Sequence, residues 1–349
     1  MKIRYTKYDL QLLHPFRIAL YARTYTPLTL LELEHEGHIG YGESSMPPYF
    51  GETPETAFEF YKIVEHSGIL TQFGTKTKNI GDMMEEIDAL AKGNSAAKAS
   101  IDIALHDLKG KLENKPVWSL MGSVPASMPV TSCTLGIDTP SVLRQKVAEA
   151  AEFSVIKVKL GSDNDHEIIK TIREVTDKPL YADANQGWSD PDYAIDMIHW
   201  LAEQGVILVE QPLPKHDIDG NAIVTEGSPI PIFADESFQR FADFNRISGA
   251  FHGINIKLMK STGLFEAKRM LMEARKRNLQ VMIGCMSETS CGIMAGAALA
   301  PQCDFADLDG PWLTSNNPFD TPILRGGKIQ LSDAAGLGIN KIIKRFTKF

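Results

Sequence analysis

The sequence predicts a closed parallel β/α barrel carrying an α+β cap, and three observations predict it. Short apolar runs recur through the second half of the 349-residue chain, with amphipathic helical stretches between them. Charged residues end several of those runs at even spacing. Lys159, Asp183, Glu210, Asp235 and Lys257 are separated by 24, 27, 25 and 22 residues, the length that one strand, one helix and two short loops consume. Ahead of these repeats, strand patterns and then helix patterns follow one another, as in an α+β unit.

The cap is expected over residues 1–125. Ile3–Leu12, Leu28–Glu36 and Ile39–Ser45 read as antiparallel strands, the last two joined through Glu36-Gly37-His38. Two irregular segments, His14–Thr26 with Arg17, Tyr21 and Arg23, and Ser44–Thr53 with Pro47, Pro48 and Gly51, have the character of specificity loops. Thr53-Pro54-Glu55-Thr56 opens a helix to about His66 with a cap residue, a proline at the first helical position and an acidic first turn. A second helix is expected from Ile80 to Ala91. A third, Ser95–Leu112, carries an apolar stripe of Ala97, Ile101, Ala104, Leu105 and Leu108.

The barrel is expected over residues 126–324. Its strands are read at Val130–Leu135, Val155–Leu160, Leu180–Asp183, Val206–Glu210, Ile232–Asp235, Ile254–Leu258, Val281–Cys285 and Phe305–Leu308. Ser141–Glu152, Asp165–Val175 and Asp192–Gln204 are among the intervening helices. Eight βα repeats in about 190 residues close into a barrel rather than an open sheet. The Gly-rich tail, residues 325–349, is expected to return to the cap.

Composition excludes several function classes. At 43% hydrophobic and 23% charged the chain resembles an average globular protein, so a sizeable core is expected and disorder is not. A formal charge of −8 with dispersed basic residues argues against binding nucleic acid, and the cluster Lys341-Ile-Ile-Lys344-Arg345 reads as a solvated helix face. Neither a leader-like apolar run nor 18 consecutive apolar residues occur, so a cytoplasmic protein without membrane contact is expected. Cys133, Cys285, Cys291 and Cys303 form no C-x-x-C pair and read as buried free thiols in a reducing compartment.

Catalytic groups of such barrels project from the C-terminal ends of strands, where Asp183, Glu210 and Asp235 each close an apolar run. Three carboxylates without histidine or thiolate suit a hard divalent ion, Mg²⁺ first and Mn²⁺ second. Lys157 and Lys159, two apart on one strand, face the same side. Like charge and desolvation are expected to lower a lysine pKa there, which suits a base. Lys257 arrives four strands further round and is expected to face Lys159 across the mouth. A base on each face of a planar enolate beside a metal suits proton transfer at the carbon α to a carboxylate.

The set Lys157-x-Lys159, Asp183-x-Asn185, Glu210-Gln211-Pro212, Asp235-Glu236-Ser237 and Lys257-Leu-Met-Lys260 resembles the enolase superfamily, muconate-lactonising subgroup, over almost the whole chain. The resemblance implies an α/β fold, a modified (β/α)₇β TIM barrel with an α+β cap. It implies Lys159 and Lys257 as the acid/base pair, Asp183, Glu210 and Asp235 as ligands of one Mg²⁺ per subunit, and Lys157 at the substrate carboxylate.

The last strand ends Asp307-Leu-Asp309, and alternation puts both acids on one face as a receptor for a cation. This Asp-x-Asp is similar to that of the dipeptide epimerases, where it holds the free α-ammonium. Cys285-Met286-Ser287 and Thr134 likewise resemble their substrate contacts. The implied reaction inverts the Cα of the C-terminal residue of an Ala-Xaa dipeptide. L- and D-Ala are both open as the first residue, which includes D-Ala peptides of cell-wall origin, and self-association into a homo-oligomer is expected. Ala-Glu members carry an arginine directly after Pro-Phe-x-x-Ala-Leu. Here Tyr21 stands there, with Arg23 two residues on, and Met46-Pro-Pro-Tyr49-Phe50 adds apolar bulk. Since tyrosine offers no cationic fork, a small or apolar Xaa (Ala, Val, Met or Ser) is expected in place of Glu. An o-succinylbenzoate synthase or cycloisomerase of the same superfamily would share lysines and metal, but Asp307 and Asp309 would then face an anionic substrate, which Coulomb repulsion disfavours. A metal-containing barrel that binds ligand without turnover is the non-enzymatic alternative.

Overall fold

The fold is described from a computed structural model, which covers residues 1–17, 22–47, 51–75 and 78–342. Two layers make the cap. Strands β1 (Lys2–Arg17), β2 (Ala22–His35) and β3 (His38–Ser45) pair antiparallel in that order. Helices α1 (Pro54–Ser67), α2 (Ile80–Leu90) and α3 (Ser95–Glu113) follow, and α3 covers the sheet. The expected stripe of α3 is buried along its length. It lies so close to β3 that a Cβ on Gly42 would stand 1.9 Å from the Ser100 carbonyl oxygen. Helix α1 begins as the sequence predicts, with reciprocal Thr53–Thr56 capping, and ends at Gly68 with φ 74°.

One expectation about the cap is corrected. The described residues of His14–Thr26 are strand and not irregular loop, because β1 continues to Arg17 and β2 starts at Ala22, with Phe16 opposite Arg23 and Arg17 opposite Ala22. A register shift between Gln11 and Phe16 disguises the pairing. A bulge breaks the strict alternation by which a strand is read from sequence, and it twists the ribbon away from the rest of its sheet. Tyr21 and Tyr49 lie outside the described residues.

After a short helix α4 (Val117–Leu120) the chain enters the barrel. Strands β4 (Ser132–Leu135), β5 (Val155–Lys159), β6 (Leu180–Asp183), β7 (Val206–Glu210), β8 (Ile232–Ala234), β9 (Gly253–Lys257), β10 (Gln280–Gly284) and β11 (Phe305–Asp307) form one parallel sheet in sequential order. Thr131 bridges in parallel to Ala306, joining the two edges. All eight expected strands are present. Helices α5 (Pro140–Glu149), α6 (Asp165–Arg173), α7 (Pro191–Glu203), α8 (Ile218–Gly227), α9 (Leu264–Lys276) and α10 (Ser290–Leu299) form the outer ring, and only a 3₁₀ turn, Phe241–Asn245, stands between β8 and β9. Inside the barrel, Val155, Tyr181, Leu208, Phe233 and Met282 make an apolar floor, with Phe305 edge-on to Tyr181 and Phe233. Polar groups at the strand ends therefore stand on a dry base.

A hairpin of β12 (Leu324–Arg325) and β13 (Lys328–Ile329) is the last strand pair among the described residues. Beyond it, the Leu337 amide donates to Asp107 on α3 at 2.7 Å and Lys341 reaches Glu32 on β2 at 2.7 Å.

Candidate active site

Strand register decides which side chains meet. In β5, β6 and β7, Lys159 pairs with Asp183 and Asp183 with Glu210, so the three stand at one height. Thr134 is level with Lys157, and Gly284 is level with both Lys257 and Asp307. A strand rises about 3.3 Å per residue, so one slip in register would separate these groups by more than a hydrogen bond.

The acids converge as expected. One carboxylate oxygen each from Asp183, Glu210 and Asp235 lie within 4.8 Å of one another, and all three residues are buried. Burial and neighbouring Asp183 push the Glu210 carboxyl up to about 7. Burial also opposes ionisation of Asp235, but Lys257 and Lys260 outweigh it and hold this carboxyl well below its usual range. Nearby, Asn185 Oδ1 and Glu236 Oε2 are buried without a hydrogen-bond partner among the described residues. An all-oxygen, mutually repelling acid cluster with unmatched acceptors beside it fits a small hard divalent cation.

The lysines surround this cluster. Lys159 Nζ lies 2.5 Å from Asp183 Oδ2 and Lys257 Nζ 2.6 Å from Asp235 Oδ2, from strands four apart in the eight. Lys157, 1% exposed, donates to Glu210 at 2.7 Å and Asp307 at 2.8 Å. Its expected pKa is corrected. Burial does work to lower it, but Asp307, Glu210 and Asp183 overcome that and raise it well above the usual lysine value, so Lys157 is a fixed ammonium.

Beyond Lys157, Asp307 and Asp309 face the same site. Ser132 donates to Asp307 at 2.7 Å, and the Thr134 amide donates to Asp309 at 2.6 Å. Their environments differ. Burial disfavours both charges, yet Lys157 holds Asp307 below its usual value, whereas burial and Asp307 itself raise Asp309 to about 6. The Cys285 thiol lies 3.8 Å from Asp309, and burial with that charge raises it well above the usual thiol range. All four cysteines are free, Cys133 and Cys291 buried, Cys285 and Cys303 only partly so.

Thr134, Lys157, Lys159, Asp235, Lys257, Asp307 and Asp309 line one cavity of about 520 Å³, with Cys285, Met286 and Ser287 in its wall. The cap contributes Phe16, Arg23, Glu52 and Ser95. Arg23 donates to Ser287 Oγ at 2.7 Å and lies over the Phe16 ring, and Lys159 lies 5.8 Å from the same ring. Sequence reasoning missed Glu52 as a lining residue, and named Asn185, Glu236 and Lys260 only as members of the strand-end motifs, without a role. Glu52 was obscured because it caps α3 from a distance, accepting from the Ser95 and Ala96 amides. Lys260 anchors the end of β8 by donating to the Asp235 and Phe238 carbonyls. Asn185 and Gln211 have φ of 46° and 40°. Left-handed non-glycine residues just after acid-bearing strand ends are a mark of functional backbone that composition does not reveal.

The N-terminal domain model of the mandelate racemase/muconate lactonizing enzyme family matches residues 2–122, and the enolase C-terminal domain-like model matches residues 142–341. L-Ala-D/L-Glu epimerase of Bacteroides thetaiotaomicron is 50% identical over 343 residues, 98% of this chain and 88% of that protein. A hydrophobic dipeptide epimerase of Enterococcus faecalis is 35% identical over 348 residues, covering 95% and 96%. The crystal structure of dipeptide epimerase from Enterococcus faecalis V583, complexed with Mg and L-Leu-L-Tyr, matches with a TM-score of 0.88 at 33% identity, over 97% of this chain and 98% of that one. With both domain models matched and full-length relatives above 30% identity, the chain belongs to the mandelate racemase/muconate lactonizing enzyme family of the enolase superfamily.

Proposed function

We propose that this chain is a Mg²⁺-dependent dipeptide epimerase that inverts the Cα of the C-terminal residue of an Ala-Xaa substrate. One observation carries the reading. Two lysines from opposite strands flank the acid cluster, and the Asp307–Asp309 pair faces the same cavity, tied to the cluster through Lys157. That arrangement suits a ligand that carries both a carboxylate and an ammonium. The naming of relatives as dipeptide epimerases supports it.

Asp183, Glu210 and Asp235 would hold the metal, which when bound would supply positive charge at the substrate carboxylate. Lys157, fixed as an ammonium, adds a second positive charge there. Asp307 and Asp309 bind the α-ammonium, with Thr134 orienting Asp309. Neutral Lys159 or Lys257 takes the Cα proton from one face and becomes an ammonium. Its opposite number, already an ammonium, gives a proton to the other face and becomes neutral. Charge and atoms balance, and the configuration is inverted.

The expectation of a small or apolar Xaa rests on Tyr21. Arg23, set against Ser287 in the cavity wall, offers the cationic fork that Tyr21 cannot, and favours an acidic Xaa. Ala-Glu is therefore the first substrate to try, with Ala-Ala, Ala-Val, Ala-Met and Ala-Ser as the second reading.

The test is deuterium incorporation at Cα in D₂O with Mg²⁺ and a library of L-Ala and D-Ala dipeptides. An epimerase labels and inverts the C-terminal residue. Loss of water or lactone formation would indicate the synthase or cycloisomerase reading, and binding without exchange would leave only a ligand-binding barrel. Elution at the monomer volume in size-exclusion chromatography would overturn the proposed homo-oligomer, and we take the protein to act in the cytoplasm.

A further inference from the structure

We propose that Glu43 of the cap and Glu288 of the barrel share one proton, and that this carboxyl pair holds Cys285–Thr289 in the cavity wall, which makes both residues positioning groups for substrate. Neither lines the cavity, and both are essentially inaccessible, at 0% and 2% exposed. Glu43, on β3, accepts from the Thr289 amide at 2.9 Å and from the Thr289 hydroxyl. Glu288 accepts from the Met286 amide at 2.7 Å. Both carboxyls converge on Gly292 of α10, where a Cβ would lie 2.3 Å from Glu288 Oε2 and 3.2 Å from Glu43 Cδ.

Two acids against one buried glycine need either a cation or a proton between them. Lys257 on β9 exerts a weak pull on Glu288, the thiols of Cys285 and Cys291 adjoin the pair, and the Asp107–Lys111 pair of α3 faces Cys291. None of these neutralises two carboxylates. Burial, then Glu43, pushes Glu288 up to about 8, and burial raises Glu43. With one proton held between them, the remaining oxygens still accept from Met286 and Thr289.

The segment so fixed is the one that faces substrate. Cys285, Met286 and Ser287 line the cavity. Ser287 accepts from Arg23 through its hydroxyl, and its carbonyl accepts from Ser45, two residues beyond Glu43, at 2.7 Å. The cap thus grips the seventh barrel loop from behind. Loss of the shared proton places two charges in one dry site and loosens that grip.

Glu288→Gln mimics the protonated acid, since its amide both donates and accepts. The first readout is thermal unfolding between pH 5 and 9.5, which needs no substrate and so is independent of the proposed epimerase activity. A carboxyl raised in the folded state stabilises fully below its unfolded value of about 4.3 and loses that contribution as pH rises through the folded value. The melting temperature of Glu288→Gln minus that of the parent is therefore expected to grow between pH 5 and 8, by about 2–4 °C or more, and then level off. The second readout rests on the epimerase reading. At pH 7 the variant is expected to keep kcat/KM within about two-fold, and above pH 8 the parent's KM is expected to rise relative to the variant's by about ten-fold, the worth of one lost hydrogen bond, with kcat unchanged. The substrate's own amine also titrates near 8, but it does so equally for both proteins.

A pH-independent melting difference overturns the shared proton, whether or not dipeptides are turned over. A growing melting difference with superimposable KM profiles overturns the positioning role. Glu43→Gln is the second variant, and failure of both glutamine variants to fold overturns the proposal, because an amide reproduces the donors and acceptors of a protonated pair.

Discussion

Lys159 and Lys257 hold equivalent positions, each within 2.6 Å of a carboxylate of the acid cluster from opposite sides of the barrel. Their separate faces predict separate phenotypes. Lys159→Ala and Lys257→Ala should each lower epimerisation at least about 10³-fold. Each should still exchange the Cα proton of the one isomer that faces the surviving lysine, as read by NMR in D₂O, and exchange of both isomers in either variant would refute the two-base arrangement. Asp309 gives a pH prediction. Burial and Asp307 raise it to about 6, so it is mostly neutral at pH 5 and charged at pH 7. KM for a dipeptide with a free ammonium should therefore fall as pH rises from 5 to 7. Asp309→Asn should flatten that fall and raise KM at pH 7 by about ten- to a hundred-fold, the usual worth of a hydrogen bond to a charged group.

Among the elements, the closest contact in the cap is α3 on β3. Gly42→Ala would drive a methyl into the Ser100 carbonyl, and helix and strand must part to admit it. A loss of about 1–3 kcal/mol in denaturant unfolding is expected. At the barrel mouth, Gln211 fastens β7 to the loop after β8. Its Oε1 accepts from the Asp235 and Ser237 amides at 3.1 and 2.9 Å, and its Nε2 donates to Ser237 Oγ at 2.8 Å. Gln211→Ala should loosen Asp235 more than it destabilises the fold. A weakened Mg²⁺ affinity in calorimetry, with only a small change in unfolding, would be the result. The short pattern Glu210-Gln211-Pro212 is thus legible as strand-end acid, lock and strand stop, although only the structure shows what Gln211 locks.

For the whole molecule, the acid cluster links metal to stability. Three buried carboxylates that repel one another gain from a cation that the unfolded chain cannot hold. Adding Mg²⁺ to chelator-treated protein should raise unfolding free energy by about 2.7 kcal/mol at a hundred times the dissociation constant and restore activity. No Mg²⁺-dependent shift in melting temperature would remove the metal from the reading. Cap and barrel are joined by polar ties as well as apolar contact. Arg240 beside β8 bonds Glu266 at 2.6 Å and Asp88 of α2 at 2.9 Å, and Asp102 of α3 accepts from the Leu264 amide at the start of α9 at 3.0 Å. No helix among the described residues is long and apolar enough to cross a membrane.

The sequence by itself determined the barrel, its eight strands and the rank of charged residues at their ends. Strand-plus-helix length is a local property, and each apolar run announces its own strand. It placed Asp307 at a strand end in the same way, but not Asp309, which lies past the end of β11 and meets the site from the turn beyond it rather than by strand alternation. What only the tertiary structure decided depends on through-space fields and long-range pairing. The bulge in β1 brings Arg23 to the cavity. Three acids from other strands keep Lys157 charged. Glu52 reaches 43 residues along the chain to cap α3, and Glu43 meets Glu288 across the two domains. No period or motif marks such meetings, since the partners are strangers in sequence until the barrel closes beneath the cap.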